Sequence, residues 1–395
     1  MKTTNKLISG FFLLLIAFSH NLAKAQTWAQ VGPTNYLLTS VAASPDGNSI
    51  YVTSTNLIVS RDRGATWTNA AVPGGPYFNW VTTGAFGNGS NVMLGPSYSS
   101  QYFLSSDAGQ TWRLGGSLGF SAAAMSANGS NILAIGSTLY HSADGGNTWT
   151  TNNLPDSTWS AVAICSNGTV MAAVDTGGFV YVSTNGAASW FSNSLAGGLA
   201  GTSIACSADG SRLVVSSSGN GSPVTFSASG YSIFLSTNSG GTWQTTATPA
   251  VQWRQVTCSA NGNRINAVSH DGCVFTSPDG GQTWAYISNP VLPWSGLAAS
   301  ADGSSLAAIT FTVAGAVPEC NLYIYSTPLV PALQVLYSGA QAALTWPSTS
   351  LGCALQQSSS LSPAAWTTLT NPVAQVNQVI VSAPGASSFF RLKQP

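Results

Sequence analysis

SRDRGATW (60–67), SSDAGQTW (105–112), SADGGNTW (142–149), STNGAASW (183–190), STNSGGTW (236–243) and SPDGGQTW (277–284) are six versions of one octapeptide, Ser-x-Asp/Asn-x-Gly/Ala-x-Thr/Ser-Trp. Their leading serines lie 45, 37, 41, 53 and 41 residues apart, close to the length of one four-stranded propeller blade, about 40–50 residues. A second motif interleaves with the first: an apolar strand, a turn with Asn-Gly or Asp-Gly chemistry, and another apolar strand. It occurs seven times, as VAASPDGNSIYV (41–52), TGAFGNGSNVML (83–94), AAMSANGSNILA (123–134), VAICSNGTVMAA (162–173), SIACSADGSRLVV (203–215), QVTCSANGNRINAV (255–268) and LAASADGSSLAAI (297–309). Each unit reads as strand a, a glycine turn, strand b, a loop, strand c ending at the motif Ser, a turn through Asp or Asn, and strand d opening at Thr-Trp. Seven such units predict an all-β chain folded as a seven-bladed β-propeller.

The seventh unit is incomplete. Strand c ends at Ser326 in NLYIYSTP (321–328), and no Thr-Trp follows. The missing piece stands before the first unit, where Gln26-Thr27-Trp28 repeats Gln110-Thr111-Trp112 and Gln282-Thr283-Trp284. Residues 27–31 are therefore expected to pair with strand c of the last blade and close the ring, which removes two exposed sheet edges.

In the repeated octapeptide, Gly gives the turn its backbone freedom and Asp or Asn accepts hydrogen bonds from it. Trp fills space between sheets. Six copies cannot all be one active site, so Asp62, Asp107, Asp144 and Asp279 read as folding devices.

Composition excludes several function classes. Of 395 residues only 6% are charged, with 11 Lys+Arg against 11 Asp+Glu, where an ordinary domain carries about 25%. Lys2 and Lys6 precede an apolar run from Leu7 to Phe18, and Ala23-Lys24-Ala25 offers a small-x-small cleavage site; residues 1–25 read as a signal peptide. Its removal takes away Lys2, Lys6 and Lys24 and leaves eight positive against eleven negative side chains, a balance that argues against nucleic acid as a partner. The mature chain is expected to be secreted or extracytoplasmic, without membrane insertion after cleavage. Residues 26–330 form the expected propeller. Residues 331–395, with short apolar stretches (LQVLYS, AALTWP, CALQQSS, VNQVIVSA, SFFRLKQ) between Ser/Pro turns, form a small C-terminal β domain.

The six octapeptides resemble the Asp-box, or bacterial neuraminidase repeat, of sialidases, xyloglucan-cleaving glycoside hydrolases, sortilin-type receptors and photosystem II assembly factor propellers. The resemblance covers residues 27 to about 326. It implies a propeller and leaves open whether the chain is a hydrolase or a binding protein. The tail resembles C-terminal modules of secreted proteins of environmental bacteria.

In a propeller the d–a connections and b–c loops share the usual ligand face, and the a–b turns share the other with the Asp-box turns. Asp46, Asp209 and Asp302 fall in a–b turns, so Asp156, Asp175, Asp271 and Glu319 remain for the ligand face. An inverting glycosidase needs two carboxylates about 6.5–9.5 Å apart, and these four are the candidates for such a pair. Asp175, before Thr-Gly-Gly, and Asp271, before Gly, also read as hairpin-turn residues. A sialidase-like mechanism, which the resemblance brings to mind, needs an arginine cluster and a Tyr-Glu pair. Arg61, Arg63 and Arg113 lie in or beside the repeated turns and Arg212 and Arg264 follow a–b turns, so Arg254 alone points to the ligand face and the set does not assemble.

Eight residues before each a–b turn acid or amide stand Leu38, Trp80, Phe120, Trp159, Gly201, Trp253 and Trp294. Two readings follow: a partial aromatic ring at the ligand-face entrance on which a glycan stacks, or a repeated wedge between blades. Cys206 and Cys258 occupy one equivalent place in adjacent units, with Cys165 near it in the preceding unit. They read either as a bridge or as buried thiols. No Cys-x-x-Cys pair occurs, and His270, beside Asp271 and close to Cys273, reads as a turn residue; no metal or cofactor is expected. The reading is a non-catalytic binding or scaffold propeller for a glycan or a protein, with Trp80, Phe120, Trp159, Trp253, Trp294 and Arg254 as its ligand residues and a divergent glycoside hydrolase as the alternative.

Overall fold

The computed structural model describes residues 27–326, apart from 33–37, 74–79, 87–88, 97–100, 153, 156, 196–198, 218–230, 250, 288–290 and 315–316, together with six strands between 334 and 393. Residues Gln26–Thr327 form one compact unit. It is a seven-bladed β-propeller: seven four-stranded antiparallel sheets follow one another as blade 1 (40–69), blade 2 (80–117), blade 3 (122–151), blade 4 (159–194), blade 5 (201–245), blade 6 (253–286) and blade 7 (294–326 with 27–31). In each, strands a to d run outward in chain order, except that blade 7 takes its fourth strand from the start of the chain. Thr27–Val31 pairs antiparallel with Leu322–Ser326 over five residues, Thr27 opposite Ser326 and Val31 opposite Leu322. The expected closure is thus present.

Seven apolar clusters hold the ring, and each joins two neighbouring blades. Strand b is short and buried along its length, so a blade covers its faces only against the next blade, as in any repeat architecture. The a–b turns are also tied hand to hand around the channel. Ala127 N–H donates to Ser166 O, Ser166 to Ala208, Ala208 to Ala260, Ala260 to Ala301, and Ala301 to Pro45, at 2.6–2.9 Å. Pro45 has no N–H to pass on, and the Ala127 carbonyl is capped instead by Asn91 Nδ2 at 3.1 Å.

The repeated octapeptide forms the same turn each time. In the turn at 105–112, Ser105 Oγ donates to Asp107 Oδ1 at 2.8 Å and accepts from Gly109 N, while Thr111 N donates to Asp107 Oδ1 at 2.8 Å. Asn185 and Asn238 replace the acid with the same Oδ1 geometry. The third and fourth residues after the serine both take left-handed backbone, and Ala187 (φ 70°) is the one fourth-position residue that is not glycine. A backbone N–H of each turn then bonds to an a–b turn carbonyl of its own blade, as Arg63 to Asn48 and Gly280 to Asn263. These turns therefore line the face opposite the b–c loops. Hydrogen bonds from Thr111 to Asp107, from Thr148 to Asp144 and from Thr283 to Asp279 hold all three carboxyls down to about 2, because each bond favours the charged form.

The C-terminal strands form two three-stranded sheets. One orders Gln334–Ser338, Gln341–Thr345 and Gln378–Ser382, and the other orders Thr367–Thr368, Ala354–Ser358 and Phe389–Lys393.

Candidate binding face

The aromatic position before strand a does not form a ring open to ligand. Phe120 is 5% exposed, Trp159 9%, Trp253 0% and Trp294 1%. Each belongs to a cluster shared with the preceding blade: Phe120 against Tyr102 and Leu104, Trp159 against Leu133 and Leu139, Trp253 against Val214 and Leu235, Trp294 against Val268 and Val274. Leu38 fills the same place between blades 7 and 1. In blade 5 the wedge is absent because Val174 fills the space; a Cβ on Gly201 would lie 2.1 Å from its Cγ2. A sugar stacks on an exposed ring face, and these four rings offer none. Trp80 begins strand a of blade 2, where it pairs with Pro96; its side chain lies outside the described residues.

The next position decides where the face carries charge. In blades 4, 5, 6 and 7 the a–b register slips by one residue after the wedge, leaving Ser160, Thr202, Arg254 and Ser295 as the extra residues of β-bulges. A bulge re-aims its side chain and tightens the local twist. The hydroxyls are used internally: Ser160 Oγ donates to Gly201 O at 2.6 Å and Thr202 Oγ1 to Trp253 O at 3.2 Å, each tying one blade to the next, and Ser295 Oγ donates to Ile309 O at 3.2 Å. Arg254 breaks this series. It is exposed, and a guanidinium replaces the hydroxyl that would tie blade 6 to blade 7. That link is made one residue later by Gln255, whose Nε2 donates to Leu297 O and whose Oε1 accepts from Leu297 N, both at 2.9 Å.

Hydrogen bonds also connect the loop segments of blades 6 and 7 to one another. His270 N donates to Gln252 O, Leu292 N to Gly272 O, and Phe311 N to Pro293 O; Trp294 Nε1 donates to Gly272 O at 3.0 Å. The side chains left outside are Val291 at 57% and Phe311 at 45% exposure, with Pro293, His270 and Asp271 also exposed. Exposed apolar side chains in the loops that also carry one cation and one carboxylate can grasp a partner's apolar side chain and fix its orientation by charge. Val291, Pro293 and Phe311 carried no signal in the sequence, since they sit singly in loops that vary from blade to blade.

Asp175 and Asp271, the two candidate carboxylates whose side chains are described, are not brought together. Asp175 is 3% exposed and fully employed, accepting from Ser157 Oγ and from Phe179 N at 2.8 Å across the b–c turn of blade 4. Asp271 lies in the corresponding turn of blade 6, with blade 5 between them. Glu319 stands opposite Thr312 in a hairpin of blade 7, its side chain outside the described residues, as is all of Asp156. Among the described residues no three His, Cys, Asp or Glu side chains converge on a metal site. All five described cysteines, Cys165, Cys206, Cys258, Cys273 and Cys320, are free thiols.

No protein-family model matches the chain, and no curated protein matches it. Solved structures do. A structure titled YCF48 bound to D1 peptide aligns with 80% of this chain and 98% of its own at 14% identity and TM-score 0.56. YCF48 from Cyanidioschyzon merolae aligns with 76% of this chain and 98% of its own, at 16% identity and TM-score 0.52. The WD40 repeats of RRP9 align with 76% of this chain and 99% of their own, at 13% identity and TM-score 0.57. These likenesses establish the propeller fold.

Proposed function

We propose that this chain is an exported, non-catalytic Asp-box propeller that binds a protein or peptide through the loop face of blades 6 and 7. The observation that carries the reading is the exposure of Val291 and Phe311 in loops of blades 6 and 7 together with that of Arg254, which stands where blades 4 and 5 place a hydroxyl that ties one blade to the next. The YCF48 structure with its D1 peptide supports a peptide as the kind of ligand this fold takes. Burial of Phe120, Trp159, Trp253 and Trp294 counts against a glycan, and the occupied oxygens of Asp175 count against a carboxylate pair. Export rests on the charged, apolar and small-residue pattern of residues 1–25.

The test is selection of displayed random peptides on the full mature chain, followed by binding of the enriched peptides to Arg254→Ala and Phe311→Ala. Enriched peptides should carry an acidic group and a large apolar side chain, and each substitution should weaken binding by about tenfold or more. Peptides that bind both variants as well as the parent would place the site elsewhere. Release of sugar reducing ends from a polysaccharide, abolished in Asp271→Asn, would make the chain a hydrolase.

A further inference from the structure

Strands b and c of blade 7 run on past their sheet into a hairpin, Thr312–Ala314 paired with Val317–Glu319. The hairpin is a two-stranded sheet of its own, and among the described residues no third strand pairs with either of its outer edges. A sheet of two strands is marginal in water until another joins it.

The hydrogen bonds at its base fix which backbone groups point outward. In an antiparallel pair, residues that bond across the pair alternate with residues whose N–H and C=O point away from it. Thr310 N donates to Asn321 O at 2.9 Å and so points toward strand c. Phe311 N points the other way and donates at 3.0 Å to the carbonyl of Pro293, the residue just before strand a (Trp294–Ala299). The alternation continues through the register Thr312–Glu319, Val313–Pro318 and Ala314–Val317. Thr312 and Ala314 therefore bond within the hairpin, and Val313 turns its N–H and C=O to the strand a side, as Phe311 does. Pro318, opposite Val313, is the outward residue of the other strand and has no N–H to offer. One edge can take a strand, and the other lacks a donor at its centre.

The line of strand a stops short of Val313. Trp294 N donates to Leu292 O at 2.8 Å, a three-residue turn centred on Pro293 that bends the chain out of the strand. Leu292 N is bonded instead to Gly272 O of blade 6 at 3.3 Å, and Val291 reaches solvent. The place next in line after Pro293, opposite Val313, is thus not filled by strand a, and Phe311, 45% exposed, lies two residues from it. We propose that a partner peptide adds to this hairpin as an extended strand, antiparallel to Thr312–Ala314 in the line of strand a, exchanging backbone hydrogen bonds with Val313 while its apolar side chain meets Phe311. The inference rests on the reading that the loop face of blades 6 and 7 takes a peptide, and adds the manner of binding: main-chain bonds supply affinity whatever the sequence, and the exposed side chain selects.

The experiment takes peptides enriched on the full mature chain and measures their binding to the parent, Val313→Pro and Phe311→Ala, together with a series in which each peptide amide in turn is N-methylated. Proline at position 313 repeats what Pro318 already does opposite, so the inward bonds of the hairpin remain. Val313→Pro should weaken binding about tenfold, the worth of one backbone hydrogen bond. Methyl groups should weaken it at alternate peptide positions and be tolerated between them, and amide hydrogen exchange in Thr312–Ala314 should slow when the peptide binds. If Val313→Pro does not fold by circular dichroism, the methylated series on the parent carries the test. Peptides weakened by Phe311→Ala but indifferent to Val313→Pro and to every methyl group would overturn strand addition and leave the binding face standing. A chain that enriches no peptide would take down the face and this inference together.

Discussion

Removing the indole of Trp28 should open the ring at its one discontinuous blade. Trp28 is 9% exposed. Its ring centroid lies 4.9 Å from that of Trp294 and 5.1 Å from that of Tyr325, and its Nε1 donates to Ile287 O at 3.0 Å. Trp28→Ala removes this packing and the hydrogen bond together, a loss of about 3–5 kcal/mol for a buried Trp. That is a large share of the roughly 5–15 kcal/mol by which a folded domain is stable. For a unit of about 300 residues it corresponds to a fall in Tm of roughly 5–8 °C. Trp28→Phe keeps much of the ring contact and loses only the N–H, so about 1–2 kcal/mol is expected. Urea unfolding followed by circular dichroism measures both values. Proteolysis of native Trp28→Ala should also cut near residue 31 sooner than in the parent, because the segment is then held only by its five strand pairs, the Gln30–Asn321 hydrogen bond and the packing of Val31. Equal urea midpoints for Trp28→Ala and the parent, at equal slopes, would refute the view that this strand clasps the ring.

Two further outcomes follow from the repeated turn. Ala187 holds φ 70° where the five other copies have glycine, so Ala187→Gly should stabilise by about 0.5–1 kcal/mol after the added freedom of the unfolded chain is subtracted; a lower urea midpoint would show that the Ala187 methyl packs usefully instead. Asp107, Asp144 and Asp279 are held at about 2 against an ordinary 3.8, so their contribution is complete above the ordinary value and is lost as pH falls from there through about 2. Urea midpoints between pH 4 and pH 2 should therefore fall less steeply in the triple Asp→Asn variant than in the parent, and parallel profiles would assign the acid sensitivity to other groups.

The architecture was legible because it is written seven times. Turn chemistry at Asp46-Gly47 or Asn261-Gly262 and the Ser-to-Trp octapeptide are local devices, and a local device repeated at blade-length intervals leaves few other folds. Closure was legible for the same reason: Gln26-Thr27-Trp28 is a repeat fragment displaced to the other end of the chain. The aromatic position before strand a was legible as a pattern and ambiguous in meaning. Periodicity places Trp253 and Trp294 at one equivalent site, yet whether an indole faces solvent or the neighbouring sheet depends on which blade lies beside it.

The candidate site belongs to the other kind of information. Arg254 stood out in the sequence as a solitary ligand-face cation, but its exposure follows from a bulge, and a bulge is set by the twist between paired strands. Val291, Pro293 and Phe311 are ordinary loop residues until hydrogen bonds such as Phe311 N to Pro293 O gather them on one sector. Asp175 shows the converse, a promising loop carboxylate that its own hairpin consumes through Phe179 N. The sequence by itself determined the blade count, the turn geometry and the strand that closes the ring, because each depends on residues within one repeat. Only the tertiary structure decided which side chains are buried between blades and which loop residues reach solvent, because those depend on what each blade presents to its neighbours around the ring.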